Sequence, residues 1–306
     1  LTDRDTRFFD WPCYAAIRSA SEKLKPDKIV VHVLDGVEPQ TFGSWWTAAK
    51  KFVSEVVPFP RDAVPTSLNG ILINHPAFVA DFHRMQVLYD WGGIYMDTDA
   101  LSLRDFDGLR RWKAVLGRQG GTELRATVGL MMFEKRSPLI PPLLDRMKGA
   151  YTGSWGVHAG HVLDDLLAST RPPGVAILGH STGFFASSWH AADFVELMEE
   201  ANVVDWSRCW SLHLYNSQTK KYTRDPVELC KTSSSYKSGD LCRGLRLAID
   251  MDSIYAMVAD GYPIMNSQIE AAFARRSLEQ ADGFDSPVSH SLEIRRESSQ
   301  VSRREL

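Results

Sequence analysis

The run KIVVHVL, residues 28–34, places β-branched and apolar side chains at successive positions, without the polar alternation of a half-exposed strand. Such a run is typical of a strand that is buried on both faces, as in a parallel sheet covered by helices. Helical patterns flank it, and apolar runs of similar size recur at 114–118 (AVLGR) and 128–133 (VGLMMF). This alternation predicts an α/β fold with a mostly parallel central sheet flanked by helices.

Charge and length exclude several classes of protein. The 306-residue chain has a formal net charge of -3, which argues against a nucleic-acid or membrane-surface binder, since these normally carry a basic patch. No apolar run approaches the ~18 residues that span a bilayer, so we expect membrane contact only through a segment outside this sequence. We predict one domain over residues 1–280 and a disordered, charged tail over 281–306.

The cysteines fit no metal-binding or redox spacing, but Cys230 and Cys242 bracket a polar loop that a disulfide can close.

A pair of aspartates follows a short apolar strand in LYDWGGIYMDTDAL, residues 88–101. The preceding helix has apolar residues on one face, and Gly92-Gly93 suits its left-handed end. Side chains two apart in an extended chain point the same way, so Asp97 and Asp99 are predicted to face one space at the edge of the sheet. Two adjacent carboxylates need a compensating cation, and Mg²⁺ or Mn²⁺ shared with substrate phosphates is the natural one. The pair predicts a metal–diphosphate site.

The block ADFHRMQVLYDWGGIYMDTD, residues 80–99, resembles the DXD sugar-binding region of glycosyltransferase family 32. That family includes α-1,4-galactosyl-, α-1,4-N-acetylglucosaminyl- and yeast-type α-1,6-mannosyltransferases. Its pattern, S-D-x-x-R-x-x-x-L and then G-G-x-Y-x-D-x-D, is matched at Asp81, Arg84, Leu88, Gly92, Gly93, Tyr95, Asp97 and Asp99. Ala80 replaces the leading serine. The segment SLHLYN, residues 211–216, is similar to the family's H-L-W-N.

The resemblance implies a GT-A fold and a metal-dependent enzyme that moves a sugar, with retention, from a UDP- or GDP-sugar. The acceptor would be a glycan, lipid or protein, the cofactor Mn²⁺ or Mg²⁺, and the compartment the Golgi or secretory lumen. The implied site residues fall into three groups. Asp81 and Arg84 would meet the donor sugar, Asp97 and Asp99 would hold the metal, and Tyr95, His213 and Asn216 would contact the cofactor. His213 would be a third metal ligand, since imidazole suits Mn²⁺.

Aromatic residues around position 155 are candidates for an acceptor platform, because aromatic faces stack on sugars. They are Trp155, His158, His161 and Trp189, whereas Trp45 and Trp46 are expected in the core.

Two other functions compete with a glycosyltransferase. A haloacid-dehalogenase-type phosphatase also uses D-x-D after a strand, but it requires threonine or valine where this chain has Leu101. A non-catalytic sugar-nucleotide or glycan-binding module would keep the fold and lose the chemistry. The simplest alternatives for single residues are a solvated acidic turn for Asp97 and Asp99, a surface ion pair for Asp81 and Arg84, and a structural role for His213.

Overall fold

The largest sheet among the described residues is a four-stranded mixed sheet. In the computed structural model its order is β5 (Gly93–Met96), β8 (Arg125–Phe133), β7 (Ala114–Gln119) and β9 (Val175–Leu178). The structure describes residues 9–35, 42–73, 75–119, 125–170, 172–179, 204–215, 225–227, 229–230 and 240–264. These residues belong to one compact unit, Leu1–Ile264. Asn216, Trp189 and the predicted tail lie outside the described residues.

The helices largely follow the sequence patterns. They are α1 (Trp11–Ser19), α2 (Ser44–Ala49), α3 (Pro76–Trp91), α4 (Ile140–Gly149), α5 (Val162–Thr170), α6 (Asp240–Ala248) and α7 (Met251–Ala259). Helix α1 begins where the Asp10 carboxylate accepts a hydrogen bond from the Cys13 amide, and it continues as the π-helix Ala20–Leu24. A second π-helix, Val157–His161, leads into α5.

Smaller sheets pair the remaining described strands. Strand β1 (Val30–Leu34) runs parallel to β2 (Glu55–Phe59), while β3 (Ser67–Leu68) and β4 (Ile71–Leu72) form a hairpin. Strand β6 (Ala100–Ser102) pairs antiparallel with β10 (Ser211–His213). Short 3₁₀ helices cover Lys50–Phe52, Arg61–Ala63 and Asp107–Leu109.

The predicted α/β class is confirmed, but the expectation of a mostly parallel central sheet is wrong. Strand β8 is antiparallel to both β5 and β7, and only β7 and β9 are parallel in this sheet. A parallel crossover needs about a dozen residues, and the connection between Gln119 and Arg125 is too short for one. The apolar run in β8 reflects burial, which a covered antiparallel strand shares with a parallel one.

Helix α3 lies between two apolar cores. Its Phe78, Phe82, Met85 and Leu88 are buried in a cluster that includes Leu116 and Met131 of the central sheet. On another side, the His83 ring stacks on Phe59 of β2 with centroids 3.9 Å apart. This packing fixes the helix that delivers the chain to β5 and the aspartates.

Trp45 and Trp46 are buried in the core, as expected, and Cys230 and Cys242 form the disulfide that their spacing permits. Among the described residues, none of the helices combines the length and apolarity that crossing a bilayer requires.

Candidate metal centre

The two aspartates lie in a tight turn at the end of β5. The Ala100 amide donates to the Asp97 carbonyl at 3.0 Å, and the Asp97 amide donates to the Gly129 carbonyl at 2.7 Å. The segment is therefore a turn rather than the extended chain that the sequence argument assumed. The expected outcome nevertheless holds, because the turn directs both carboxylates into one space.

The start of this segment depends on two glycines. Helix α3 ends at Trp91, and Gly92 and Gly93 adopt φ values of 68° and 98°. A side chain at Gly92 would also collide with the backbone, since its Cβ would lie 2.6 Å from the Lys135 amide nitrogen. Glycine is therefore required for the change of direction between α3 and β5.

His213 reaches the aspartates from a strand far along the chain. Strand β10 places His213 opposite Ala100, next to the aspartate turn, while Leu212 and Leu214 are buried in the core. The His213 Nε2 lies 2.9 Å from Asp99 Oδ1 and 4.0 Å from Asp97 Oδ2. One ligand atom from each residue of this triad, Asp97, Asp99 and His213, lies within 4.8 Å of the others. Two carboxylates and an imidazole form a donor set that fits Mn²⁺, so the predicted ligands converge as expected.

Arg84 is buried behind the triad and bridges two acidic residues, Asp81 and Asp97. Its Nη2 lies 3.2 Å from Asp81 Oδ1 and 3.4 Å from Asp97 Oδ1. Its Nη1 donates to the Val128 carbonyl at 2.7 Å, and its guanidinium stacks over Tyr95. With 5% of its side chain exposed, Arg84 holds Asp81 and Asp97 in place. A contact between Arg84 and a donor sugar stays a prediction.

Tyr95 points at the triad from β5. Its hydroxyl donates to Asp97 Oδ1 at 2.9 Å, which leaves Asp97 Oδ2 as the oxygen that faces His213. Burial raises the pKa of Tyr95 well above its usual value. Tyr95 therefore acts as a protonated hydrogen-bond donor and not as a base.

In the triad, the negative charges of Asp97 and Asp99 lie close together, and nearby positive groups stabilise them. Burial raises the pKa of Asp97, as does Asp99, whereas Arg84 and His213 act to lower it. Burial alone would lower the pKa of His213, but Asp99 and Asp97 outweigh burial and the net pKa is raised. Arg84 keeps a raised pKa despite its burial, because Asp97 and Asp81 stabilise its charge. A cation bound here would add to the positive charge that Arg84 and His213 supply to the two carboxylates.

Gly129 on β8 lies against the triad, and the sequence patterns did not identify it as part of the site. A Cβ there would lie 2.7 Å from Asp97 Oδ2 and 3.2 Å from His213 Cε1. The space that its missing side chain leaves is occupied by the triad. In the sequence, the only signal is a lone glycine inside an apolar strand, which indicates a close approach by another group.

The proposed acceptor platform needs one correction. His158 has no exposed surface, and its Nε2 lies 3.0 Å from Asp81 Oδ2, so it is a buried partner of Asp81 and cannot stack on an acceptor. Trp155 is 66% exposed and packs on His75 and Phe78, so its role in acceptor binding stays a prediction.

Residues 14–116 match the family model described as the glycosyltransferase sugar-binding region containing the DXD motif. This chain carries a DXD glycosyltransferase region. The match includes α3 and the aspartate turn, confirms the resemblance to family 32 and agrees with a GT-A-type α/β fold. His213 lies beyond the residues that this model matches, and its place in the site is supported by its distance to Asp99 and by the similarity of SLHLYN to the family's H-L-W-N.

Two known proteins resemble this glycosyltransferase region. Glucan organizing enzyme 1 of Cryptococcus neoformans var. grubii is 29% identical over 218 residues, which cover 68% of this chain and 57% of that protein. The chain therefore spans little more than half the length of this curated relative. The solved structure of PaToxG Glycosyltransferase is 16% identical, with a TM-score of 0.37, over 52% of this chain and 63% of the other. A similarity this low carries no argument about the mechanism.

Proposed function

We propose that this chain is a metal-dependent, retaining glycosyltransferase that uses a UDP- or GDP-sugar as donor. The observation that supports this most is the convergence of Asp97, Asp99 and His213 within the reach of one ion, in a chain with a DXD glycosyltransferase region. Neither the family model nor the fungal relative points to a phosphatase.

The triad would hold Mn²⁺ or Mg²⁺ through Asp99 Oδ1, Asp97 Oδ2 and the imidazole of His213. A divalent ion at this position supplies positive charge that neutralises a diphosphate leaving group. Arg84 and Tyr95 contact Oδ1 of Asp97, which keeps Oδ2 of the same carboxylate directed at the metal position. These buried contacts preorganise the site, so that little rearrangement is needed when the donor binds.

Asp81 would orient the donor sugar. Its carboxylate is mostly buried and is held from two sides by Arg84 and His158, so its position is fixed before a ligand arrives. Fixed hydrogen-bonding groups that align the sugar favour the transition state over simple binding. The acceptor class is a glycan, lipid or protein, and the name of the fungal relative directs the first tests to glucans.

A thermal-shift panel of UDP- and GDP-sugars, with and without Mn²⁺, tests this function. A ligand at 100 times its Kd stabilises the folded state by about 2.7 kcal/mol, which shifts Tm by several degrees. We expect such a shift only with a matching donor and Mn²⁺, and we expect it to disappear in Asp99→Asn. The matched control is Asp107→Asn, which neutralises an exposed carboxylate paired with Arg110 in a surface turn.

Donor hydrolysis and transfer to glucan acceptors are then measured for the donor that binds. Binding without turnover would favour the non-catalytic module. Binding that persists undiminished after chelation, or in Asp99→Asn, would contradict the metal role.

A further inference from the structure

His158 is a buried polar residue in contact with the proposed sugar-binding carboxylate. It lies in the π-helix Val157–His161, which precedes α5. Its ring is enclosed by Phe78, Phe82 and Tyr151, with ring centroids 4.9, 5.7 and 5.1 Å from its own. In this apolar setting its polar contact is with Asp81 Oδ2, at 3.0 Å from Nε2.

The two ring nitrogens have different surroundings, which identifies the tautomer. Nδ1 is buried and has no hydrogen-bond partner in the structure. A neutral imidazole carries one N–H and one lone pair. With the hydrogen on Nε2, His158 donates to the carboxylate, and only a lone pair is left without a partner. With the hydrogen on Nδ1, a buried N–H would have no acceptor and Nε2 would present its lone pair to a carboxylate oxygen. The first arrangement is favoured, because an unpaired buried donor costs about 1–3 kcal/mol.

This hydrogen bond completes the support of Asp81. Arg84 holds Oδ1 and His158 holds Oδ2, so the carboxylate cannot rotate about its bond to Cβ without losing both contacts. A side chain with 12% of its surface exposed then presents one fixed edge outward. An ionised carboxylate has about four lone-pair sites, so acceptor capacity remains for sugar hydroxyls.

The backbone holds His158 in this position. Gly160 packs so closely on β8 that a Cβ would lie 2.7 Å from the Ala126 carbonyl oxygen. Gly156, just before the π-helix, has φ of 77°. Single π-turns are frequent at functional sites.

We propose that His158 is a positioning residue that orients Asp81 toward the hydroxyls of the donor sugar. This inference rests on the proposed glycosyltransferase function. Since the effect passes through Asp81, it concerns the sugar more than the nucleotide diphosphate. It also explains why a histidine is needed within an aromatic cluster that a larger apolar residue would otherwise fill.

The test compares His158→Leu with His158→Gln, whose side-chain amide nitrogen can reach the position of Nε2 and donate to Asp81. For each variant, kcat and KM for donor hydrolysis or transfer are measured beside the Kd of the bare nucleotide diphosphate. We expect kcat to fall about ten- to a hundredfold in His158→Leu, as for loss of a charge-assisted hydrogen bond. Nucleotide affinity should stay within about twofold of wild type, and His158→Gln should recover most of the turnover.

Tyr151→Phe is the matched control for a packing effect. Its hydroxyl donates to the Leu72 carbonyl at 3.1 Å and lies in the same aromatic cluster without reaching Asp81. This variant should lose stability and keep kcat per folded molecule. Equal loss of kcat and nucleotide affinity in His158→Leu, with no recovery in His158→Gln, would identify a merely structural role and overturn the proposal.

A spectroscopic measurement on the resting protein is independent of turnover. Long-range ¹⁵N–¹H correlation of ring-labelled histidine, assigned with His158→Leu, should show hydrogen on Nε2. Hydrogen on Nδ1 with none on Nε2 would overturn the proposal.

Asp81→Asn separates this inference from the proposed function. If Asp81→Asn is nearly inactive while His158→Leu has full turnover, the positioning role is wrong and the sugar role of Asp81 stands. If Asp81→Asn is fully active, Asp81 does not orient the sugar as proposed. If the wild-type protein turns over no donor, the proposed function is wrong as a whole. In either case the positioning role of His158 is wrong as well.

Discussion

Gly129→Ala tests the metal centre without touching a ligand. The added Cβ would lie 2.7 Å from Asp97 Oδ2, whereas ordinary contacts begin at 3.4 Å. Either this oxygen or β8 must therefore move by about 0.7 Å, which exceeds the ~0.5 Å within which a site holds its working geometry. His213, at 3.2 Å from the same Cβ, limits the retreat.

Two effects of different size should follow. Overpacking of this kind lowers stability by about 1–3 kcal/mol, which is several degrees of Tm for a domain of this length. Displacement of two ligands together should weaken Mn²⁺ binding about ten- to a hundredfold, as when an outer partner of a metal ligand is lost. Metal affinity should thus fall although all three ligands are present.

The assay is a Mn²⁺ titration followed by electron paramagnetic resonance of the free ion, with calorimetry as a second measurement. Gly174→Ala is the control, because Gly174 has φ of 79° and its Cβ would lie 3.1 Å from the Lys113 side chain, at the end of β7 that pairs with Phe133 rather than near Gly129. It should lower the stability of the fold and keep the metal affinity. If Gly129→Ala binds Mn²⁺ as tightly as wild type, the triad is not the metal site.

Three further predictions concern one residue of the triad and two residues of α3. His213→Ala should weaken nucleotide diphosphate binding in Mn²⁺ far more than without metal, by calorimetry, and equal losses would indicate packing alone. Arg84→Met leaves two acidic groups without their buried partner, so denaturant unfolding should show a loss of about 3–5 kcal/mol, and near-wild-type stability would refute this. Burial lowers the pKa of His83 to about 4, aided by His32, so the unfolded chain takes up this proton first, near 6.5. Stability should therefore fall as pH drops from 6.5 to about 4, by less than the ~3 kcal/mol of the full shift because water screens the partly exposed ring, and melting curves of His83→Phe should show a weaker pH dependence.

The sequence predicts the helix, the glycine turn and the strand before the aspartates well, because local rules determine each of them. Apolar spacing predicts α3, the two glycines predict its end, and the short run after them predicts β5. The strand directions could not be predicted in the same way. Burial on both faces gives the same apolar run in a parallel or an antiparallel strand, and a short connection was the only local sign that β7 and β8 form a hairpin.

The parts of the site that local sequence patterns did not determine come from segments far apart in the chain, although the family resemblance had already indicated His213. His213 meets Asp99 across 114 positions because β10 pairs with β6, and no local pattern in SLHLYN indicates that pairing. For the same reason, His158 was expected at the surface with Trp155, although it lies behind Asp81. A histidine three residues after a tryptophan has the same local sequence whether its ring points outward or inward. Only the packing of the π-helix on β8, through Gly160, turns it inward.

Gly129 is likewise explained by residues that are distant in the sequence. Within VGLMMF it is a weak position in a strand, with no side chain to pack and a higher entropic cost of folding than its neighbours. Its presence is explained by what lies across from it, since Asp97 Oδ2 and His213 Cε1 occupy the volume that any other residue would fill. The catalytic-site hypothesis therefore gains support from a residue that does no chemistry. A solvated acidic turn would leave that volume to water and would not require glycine, whereas a triad held tightly enough to bind one ion does.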